Sequence, residues 1–272
     1  MRLSGPLIER PPSDVRAGSN VYLSIRPYRT SIDAMPEPRI LHLLRQGGEP
    51  LLDDILAGRG LGKIAARLAL AMTLGAALYG AVFGSWHGPR LALYVALKFP
   101  LVLFATTALT LLFSWIAARF LGLPLRLAQA AVLTLLALTV ASLVLAALAP
   151  VAGLFVFCSP RPTPDARTAH NVLYLMHTFL VGTAGLAGTR ALRRALSRLA
   201  APQAASRAAY ALWLFSFALV GGEVAWALRP FVGSVYAPVA FLRERPLDGN
   251  VYEFIVTDVL PHLGRQIDRS LD

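Results

Sequence analysis

The sequence predicts an all-α integral membrane protein, a polytopic bundle of about five transmembrane helices. Of its 272 residues, 56% are hydrophobic and only 15% are charged, and the mean hydropathy is +0.58. A soluble domain carries about a quarter charged residues, so this balance is typical of a chain with lipid as its solvent. Five apolar runs also reach the length of about 20 residues with which a helix crosses a hydrocarbon core of about 30 Å.

The chain divides into three parts. Residues 1–62, whose first 38 are rich in proline, are predicted to form a partly disordered tail. Residues 63–229 form the bundle, with spans over residues 64–84, 91–117, 128–148, 171–191 and 208–228. Residues 230–272 form a C-terminal cap. Pro150 is expected to end the third span, which makes the apolar piece after it a separate cap or shallow re-entrant segment.

Short amphipathic helices are predicted in both tails. Within residues 39–58, two apolar clusters at helical spacing indicate two helices on the membrane or the bundle; they contain Ile40, Leu41, Leu43 and Leu44, and Leu51, Leu52, Ile55 and Leu56. Asp53 and Asp54 are expected on the solvated side. In the C-terminal cap, Asn250 and Glu253 have capping-box spacing. The helix they open carries an apolar stripe of Tyr252, Ile255, Val256, Val259, Leu260 and Leu263.

Small residues recur one turn apart on three of the predicted spans. The glycines of this pattern are Gly75, Gly80, Gly84, Gly188 and Gly222. In lipid, helices associate through close van der Waals contact, which small residues allow. These positions therefore predict helix-packing faces, either inside the bundle or between subunits.

The second span contains a helix breaker. Pro100 has no amide hydrogen and its ring clashes with the carbonyl of Ala96, so a kink is predicted there. The freed Ala96 carbonyl is then available as an acceptor.

Three ionisable residues lie inside predicted spans: Lys98, His177 and Glu223. Counted from the predicted span ends, each lies roughly 8 to 11 Å below the same surface. Because charge in hydrocarbon is costly, they are predicted to form a polar cluster. Three interpretations remain open: a structural ion pair between Lys98 and Glu223, an outward-facing site for an ion, a proton or an anionic headgroup, and a Lys98 that reaches to the interface.

Arginine distribution predicts the orientation. Lys63 and Lys98 are the only lysines among 26 basic residues. One side of the predicted topology carries Arg59, Lys63, Arg67, Arg119, Arg126, Arg190, Arg193, Arg194, Arg198 and Arg207, and the other carries Arg90, Arg161, Arg167, Arg229, Arg243 and Arg245. The positive-inside rule therefore places the N-terminus in the cytoplasm and the cap outside. This interpretation assigns the arginines to topology and lipid headgroups, with no nucleic acid as partner.

No pattern for catalysis, a metal or a cofactor is found. Cys158 is the only cysteine, which excludes an internal disulfide and a cysteine metal site. His170 and His177 are about 10 Å apart on one helix face, too far to share a metal ion. We therefore expect no enzyme activity.

Two stretches carry a resemblance: LKFPLVLFATTALTL in the second span, and the region from VGGEVAWALRPFVGS to GNVYEF. They resemble a group of uncharacterised bacterial multi-span membrane proteins, which implies the bacterial inner membrane but no activity. Two functions rank above an intramembrane enzyme, which is the third interpretation. The first is a non-enzymatic subunit or scaffold that assembles with a protein partner or a second copy through its small-residue faces and tails. The second is a channel or transporter component with a polar site at Lys98, His177 and Glu223.

Overall fold

The computed structural model describes residues 49–233 and 239–254 and confirms the all-helical membrane fold. Within these residues, five helices are long and apolar enough to cross a membrane. They are α2 (Leu61–Gly84), α3 (Pro89–Phe120), α4 (Leu127–Cys158), α5 (Arg167–Ser197) and α6 (Gln203–Ala227). The short helices α1 (Glu49–Leu56) and α7 (Val251–Phe254) lie on either side of the bundle in sequence.

Helix α2 lies at the centre of the arrangement, packed between α3 and α4. Helix α5 packs on α4, and α6 packs mainly on α3. Successive spans run antiparallel because their connections are short; a single 3₁₀ turn, Ser85–His87, joins α2 to α3. Trp86 in this turn donates its indole N–H to the carbonyl of Pro160, 2.9 Å away, and so holds together two connections at the same end of the bundle.

Helix α1 packs on the bundle through its apolar side. Leu52 and Ile55 are buried in the core cluster that also contains residues of α4 and α5. The Gln129 side chain of α4 donates to the last carbonyls of α1, at 3.2 Å from Ile55 O and 2.7 Å from Leu56 O. The predicted cluster of Ile40 to Leu44 and the stripe from Ile255 to Leu263 lie outside the described residues.

The predicted end of the third span at Pro150 is wrong. Helix α4 continues through Pro150 to Cys158 over 32 residues, which corresponds to about 48 Å. A proline removes one helical hydrogen bond, and the remaining bonds and the packing of Ala149 and Ala152 in a core cluster hold the helix together. The apolar piece after Pro150 is therefore the last two turns of α4 and not a re-entrant segment.

Helix α3 also continues through its proline, and the kink at Pro100 stays a prediction. It runs without interruption over 32 residues, and Pro100 is buried within it. Both prolines are thus accommodated inside membrane helices.

The glycines of the small-residue pattern allow close backbone contact inside the bundle. A Cβ built on Gly75 would lie 2.8 Å from the carbonyl oxygen of Ser142, and one on Gly80 would lie 2.7 Å from that of Val95. Equivalent contacts exist between Gly84 and the Leu91 carbonyl, and between Gly188 and the Ala137 carbonyl. In α6, Gly221 faces α3, where a Cβ would lie 3.3 Å from Thr106, and the packing role of Gly222 stays a prediction.

These contacts predict that an added methyl group destabilises the bundle at a packed glycine but not at an open one. Gly80→Ala should destabilise the bundle by about 1–3 kcal/mol, because the new Cβ overpacks against backbone that has little room to move. Gly185→Ala is the matched control, since nothing lies within 4 Å of its Cβ position and alanine favours the helix. Thermal unfolding in detergent measures both; equal stability of the two variants would contradict the close α2–α3 contact.

Candidate functional site

Lys98 is fully enclosed and holds the chain segment that follows α6. Its side chain is 0% exposed. Its Nζ donates a hydrogen bond to the carbonyl oxygen of Pro230 at 2.9 Å. It also lies 5.7 Å and 5.0 Å from the ring centroids of Phe231 and Phe241, within cation–π range. A main-chain carbonyl and two aromatic rings therefore surround the Lys98 ammonium inside the protein, so it is not exposed at the protein surface.

The closing segment, residues 229–233, is held at a second point. His170 lies at the start of α5, and its Nε2 atom is 3.0 Å from the carbonyl oxygen of Gly233. Gly233 has a φ of +82° and packs directly against the His87 ring, so a side chain there would be both strained and obstructed. Lys98 and His170 thus fasten the two ends of the closing segment to α3 and α5.

Lys98 and Glu223 do not form the predicted ion pair. The antiparallel register of α3 and α6 is marked by Ser114, whose hydroxyl lies 3.1 Å from that of Ser216, and by the contact of Thr106 with Gly221. Glu223 therefore lies level with about residue 104 of α3, roughly 9 Å along the axis from Lys98. The side-chain oxygen Oε1 of Glu223 is buried without a hydrogen-bond partner among the described residues.

The ends of the helices explain this difference. The predicted depths assumed that α3 begins and α6 ends at one level. In the structure α6 ends at Ala227, whereas Lys98 lies opposite Pro230, beyond that end. The first turns of α3 therefore extend past α6, and the closing segment supplies the acceptor that Glu223 was expected to supply.

His177 occupies a separate aromatic pocket between α2, α3 and α5. Its Nδ1 lies 3.0 Å from the hydroxyl of Tyr79. Its ring stacks on Phe83 with centroids 4.4 Å apart and meets the edge of Phe99 at 5.6 Å. Phe99 also contacts Phe231 of the closing segment, again at 5.6 Å. His177 and Lys98 are thus neighbouring but separated by an aromatic layer, and the three ionisable residues do not share one site.

A second set of contacts joins the later part of the cap to α6. Trp226 donates its indole N–H to the carbonyl of Gly249 at 3.1 Å, and the Tyr252 hydroxyl donates to the Leu219 carbonyl at 2.8 Å. Asn250 caps α7 by accepting the Glu253 amide at 2.7 Å, as its spacing predicts. Burial, followed by the charge of Glu223, raises the pKa of Tyr252. Glu223 therefore lies under the cap rather than against Lys98.

Chemistry outside this region is limited. Within residues 49–233 and 239–254, no group of three His, Cys, Asp or Glu side chains is placed to hold a metal ion. Asp53 and Asp54 form exposed ion pairs with Arg198 and Arg59, respectively. This arrangement is that of a solvated acidic pair.

The fold and this region define an integral, multi-pass membrane protein. No family model, no curated protein and no solved structure matches the chain. The resemblance to bacterial multi-span proteins therefore stays a prediction.

Removal of the Lys98 amine should loosen the closing segment. A hydrogen bond to a charged group contributes about 1.5–3 kcal/mol, so Lys98→Met should increase opening roughly 10- to 100-fold. The measurement is thiol labelling of Val232→Cys, a buried position, in a Cys158→Ser background. Lys63→Met, at an exposed lysine, is the control and should leave labelling unchanged. Slow labelling in a folded Lys98→Met variant would count against the fastening role.

Glu223→Gln should leave stability within about 0.5 kcal/mol of the parent chain, because its carboxylate makes no ion pair with Lys98. Loss of one partner of a buried pair would cost about 3–5 kcal/mol. A double-mutant cycle with Lys98→Met, read by thermal unfolding in detergent, should give a coupling energy below about 0.5 kcal/mol. A coupling energy of several kcal/mol would contradict this prediction and indicate an ion pair between Lys98 and Glu223.

Proposed function

We propose that the chain is a non-enzymatic membrane subunit that presents a fixed extramembrane platform, formed by residues 230–233 and 239–254 of the cap, to a partner protein. The observation that carries the proposal is the hydrogen bond from Lys98 to Pro230, which anchors the cap at its first residues. Together with the contacts of His170, Trp226 and Tyr252, it attaches the cap to three spans. A loop held at this many points has a defined shape, which is what a docking partner requires.

The platform offers side chains for such a contact. Leu247 is 82% exposed, and Arg243 and Arg245 are exposed beside it. The small-residue face of α2, by contrast, is filled by the neighbouring spans α3 and α4. We therefore assign assembly to the cap and the tails rather than to Gly75, Gly80 or Gly84.

Site-specific photo-crosslinking tests this assignment. A photoreactive residue at Leu247 in the full chain, in native membranes, should give one protein adduct of defined mass. The same residue at Leu109, exposed at mid-span, should crosslink only to lipid. Lys98→Met should weaken the adduct at Leu247 because the platform loses its anchor. A lone monomer by native mass spectrometry, with lipid adducts alone at both positions, would overturn the proposal.

We further propose that the protein lies in a bacterial inner membrane with the N-terminus cytoplasmic and the cap outside. The arginine excess at the end opposite the cap supports this orientation. The single Cys158 is exposed at the cap end, where α4 terminates.

An impermeant maleimide should therefore label Cys158 in spheroplasts without permeabilisation. In a Cys158→Ser background, Ser197→Cys at the other end should react only after lysis. The opposite pattern would reverse the orientation.

Transport through a site shared by Lys98, His177 and Glu223 is the second candidate. The buried, unpartnered Oε1 of Glu223 is the observation in its favour. The separation of the three side chains makes it the weaker proposal. Flux in reconstituted vesicles that disappears on both Lys98→Met and Glu223→Gln would favour transport over the subunit role.

A further inference from the structure

The end of the bundle opposite the cap carries a dense group of arginines. The last turns of α5 contain Arg190, Arg193 and Arg194, Arg198 follows directly after the helix, and Arg207 lies in the second turn of α6; all five are exposed. Arg198 pairs with Asp53 at 3.1 Å. Among the described residues, no carboxylate forms an ion pair with Arg190, Arg193, Arg194 or Arg207. Within residues 49–233 and 239–254, the positive charge of these four arginines is therefore not paired with a carboxylate at this end of α5.

An exposed apolar face of α5 leads to these arginines. Leu175, Gly182, Leu186 and Arg193 lie on one helix face, at separations close to whole numbers of turns. Gly182 is exposed, and a Cβ built on it would meet nothing within 4 Å. Phe179 and Leu186, 69% and 61% exposed, border this gap. The face thus has a depression one side chain deep, which the neighbouring spans leave unfilled.

We propose that this face binds an anionic glycerophospholipid of the surrounding bilayer. Its phosphate lies against Arg190, Arg193 and Arg194, and one acyl chain lies along α5 across Gly182. Guanidinium groups donate charge-assisted hydrogen bonds to phosphate oxygens. An acyl chain in the depression makes van der Waals contact with α5, as a neighbouring helix would if one packed there.

The presence of both features on one face of α5 favours a lipid over a soluble anion. A free phosphate would use the arginines but not the depression. A second protein helix would use the depression but would meet uncompensated positive charge at its end. A lipid of the same leaflet satisfies both, because its headgroup and its chain are joined at the spacing that separates the membrane surface from the hydrocarbon.

The first experiment measures lipid selectivity. The full chain in neutral detergent is titrated with phosphatidylglycerol or with phosphatidylcholine of identical acyl chains, and bound lipid is counted by native mass spectrometry. Phosphatidylglycerol should bind at least ten-fold more tightly, since each arginine near an anionic surface contributes roughly five-fold in affinity. The triple variant Arg190→Gln, Arg193→Gln, Arg194→Gln should abolish the preference.

The control removes the same kind of charge from the other end of the protein. Arg243→Gln with Arg245→Gln should retain the preference in full. Equal binding of the two lipids by the parent chain, or equal loss in both sets of variants, would overturn the proposal.

The second experiment separates the acyl chain from the headgroup. Gly182→Leu fills the depression and should weaken phosphatidylglycerol binding several-fold. Ala108→Leu, a small-to-large change at an exposed position of α3, should not. Inorganic phosphate at millimolar concentration should not displace the lipid. Complete displacement of the lipid by phosphate would show a free-anion site instead. A change of oligomeric state in Gly182→Leu, with lipid binding intact, would show a protein interface instead.

Discussion

The complete burial of one lysine side chain constrains much of this structure. A buried ammonium without a partner costs several kcal/mol, because it has lost its hydration. Lys98 avoids this cost through the Pro230 carbonyl and two phenyl rings, all of which belong to chain that follows the last span. The bundle can therefore enclose Lys98 only when the closing segment has folded back across α3. The segment's path, the contacts of Phe231 with Phe99, and the position of the platform all depend on that requirement.

The pattern of the sequence was sufficient to predict the crossings but not the register between them. Apolar length is a property of each span alone, so five helices could be read without knowledge of their neighbours. The relative height of two helices depends on where each one ends, and α3 begins well beyond the end of α6. A count from predicted ends therefore placed Glu223 beside Lys98, when the two differ by roughly 9 Å along the axis. The acceptor that replaces Glu223 is a main-chain carbonyl, and because every residue has one, no side-chain pattern could have identified it.

For the prolines and glycines too, the sequence predicted some features, whereas others depend on the neighbouring helices. Pro150 predicts a helix end in water, yet α4 continues through it because the bilayer offers its backbone no alternative to helical hydrogen bonding. The glycine spacing indicated close helix contact, and only the coordinates assign Gly75, Gly80 and Gly188 to the interior while leaving Gly182 open. His170 was missed as an anchor because its partner, Gly233, is again a main-chain oxygen. In each of these cases, sequence identified the kind of residue and the fold decided its partner.

The side chain of Gln129 bears on the order in which the chain is assembled. It accepts the amide of Arg126 at the start of α4 and donates to the final carbonyls of α1, so one amide group caps two helix ends that are more than seventy residues apart. During synthesis, α1 emerges and two spans follow it before Gln129 exists. Helix α1 can therefore gain its hydrogen bonds with Gln129 only after the first two spans and the start of the third have been synthesised.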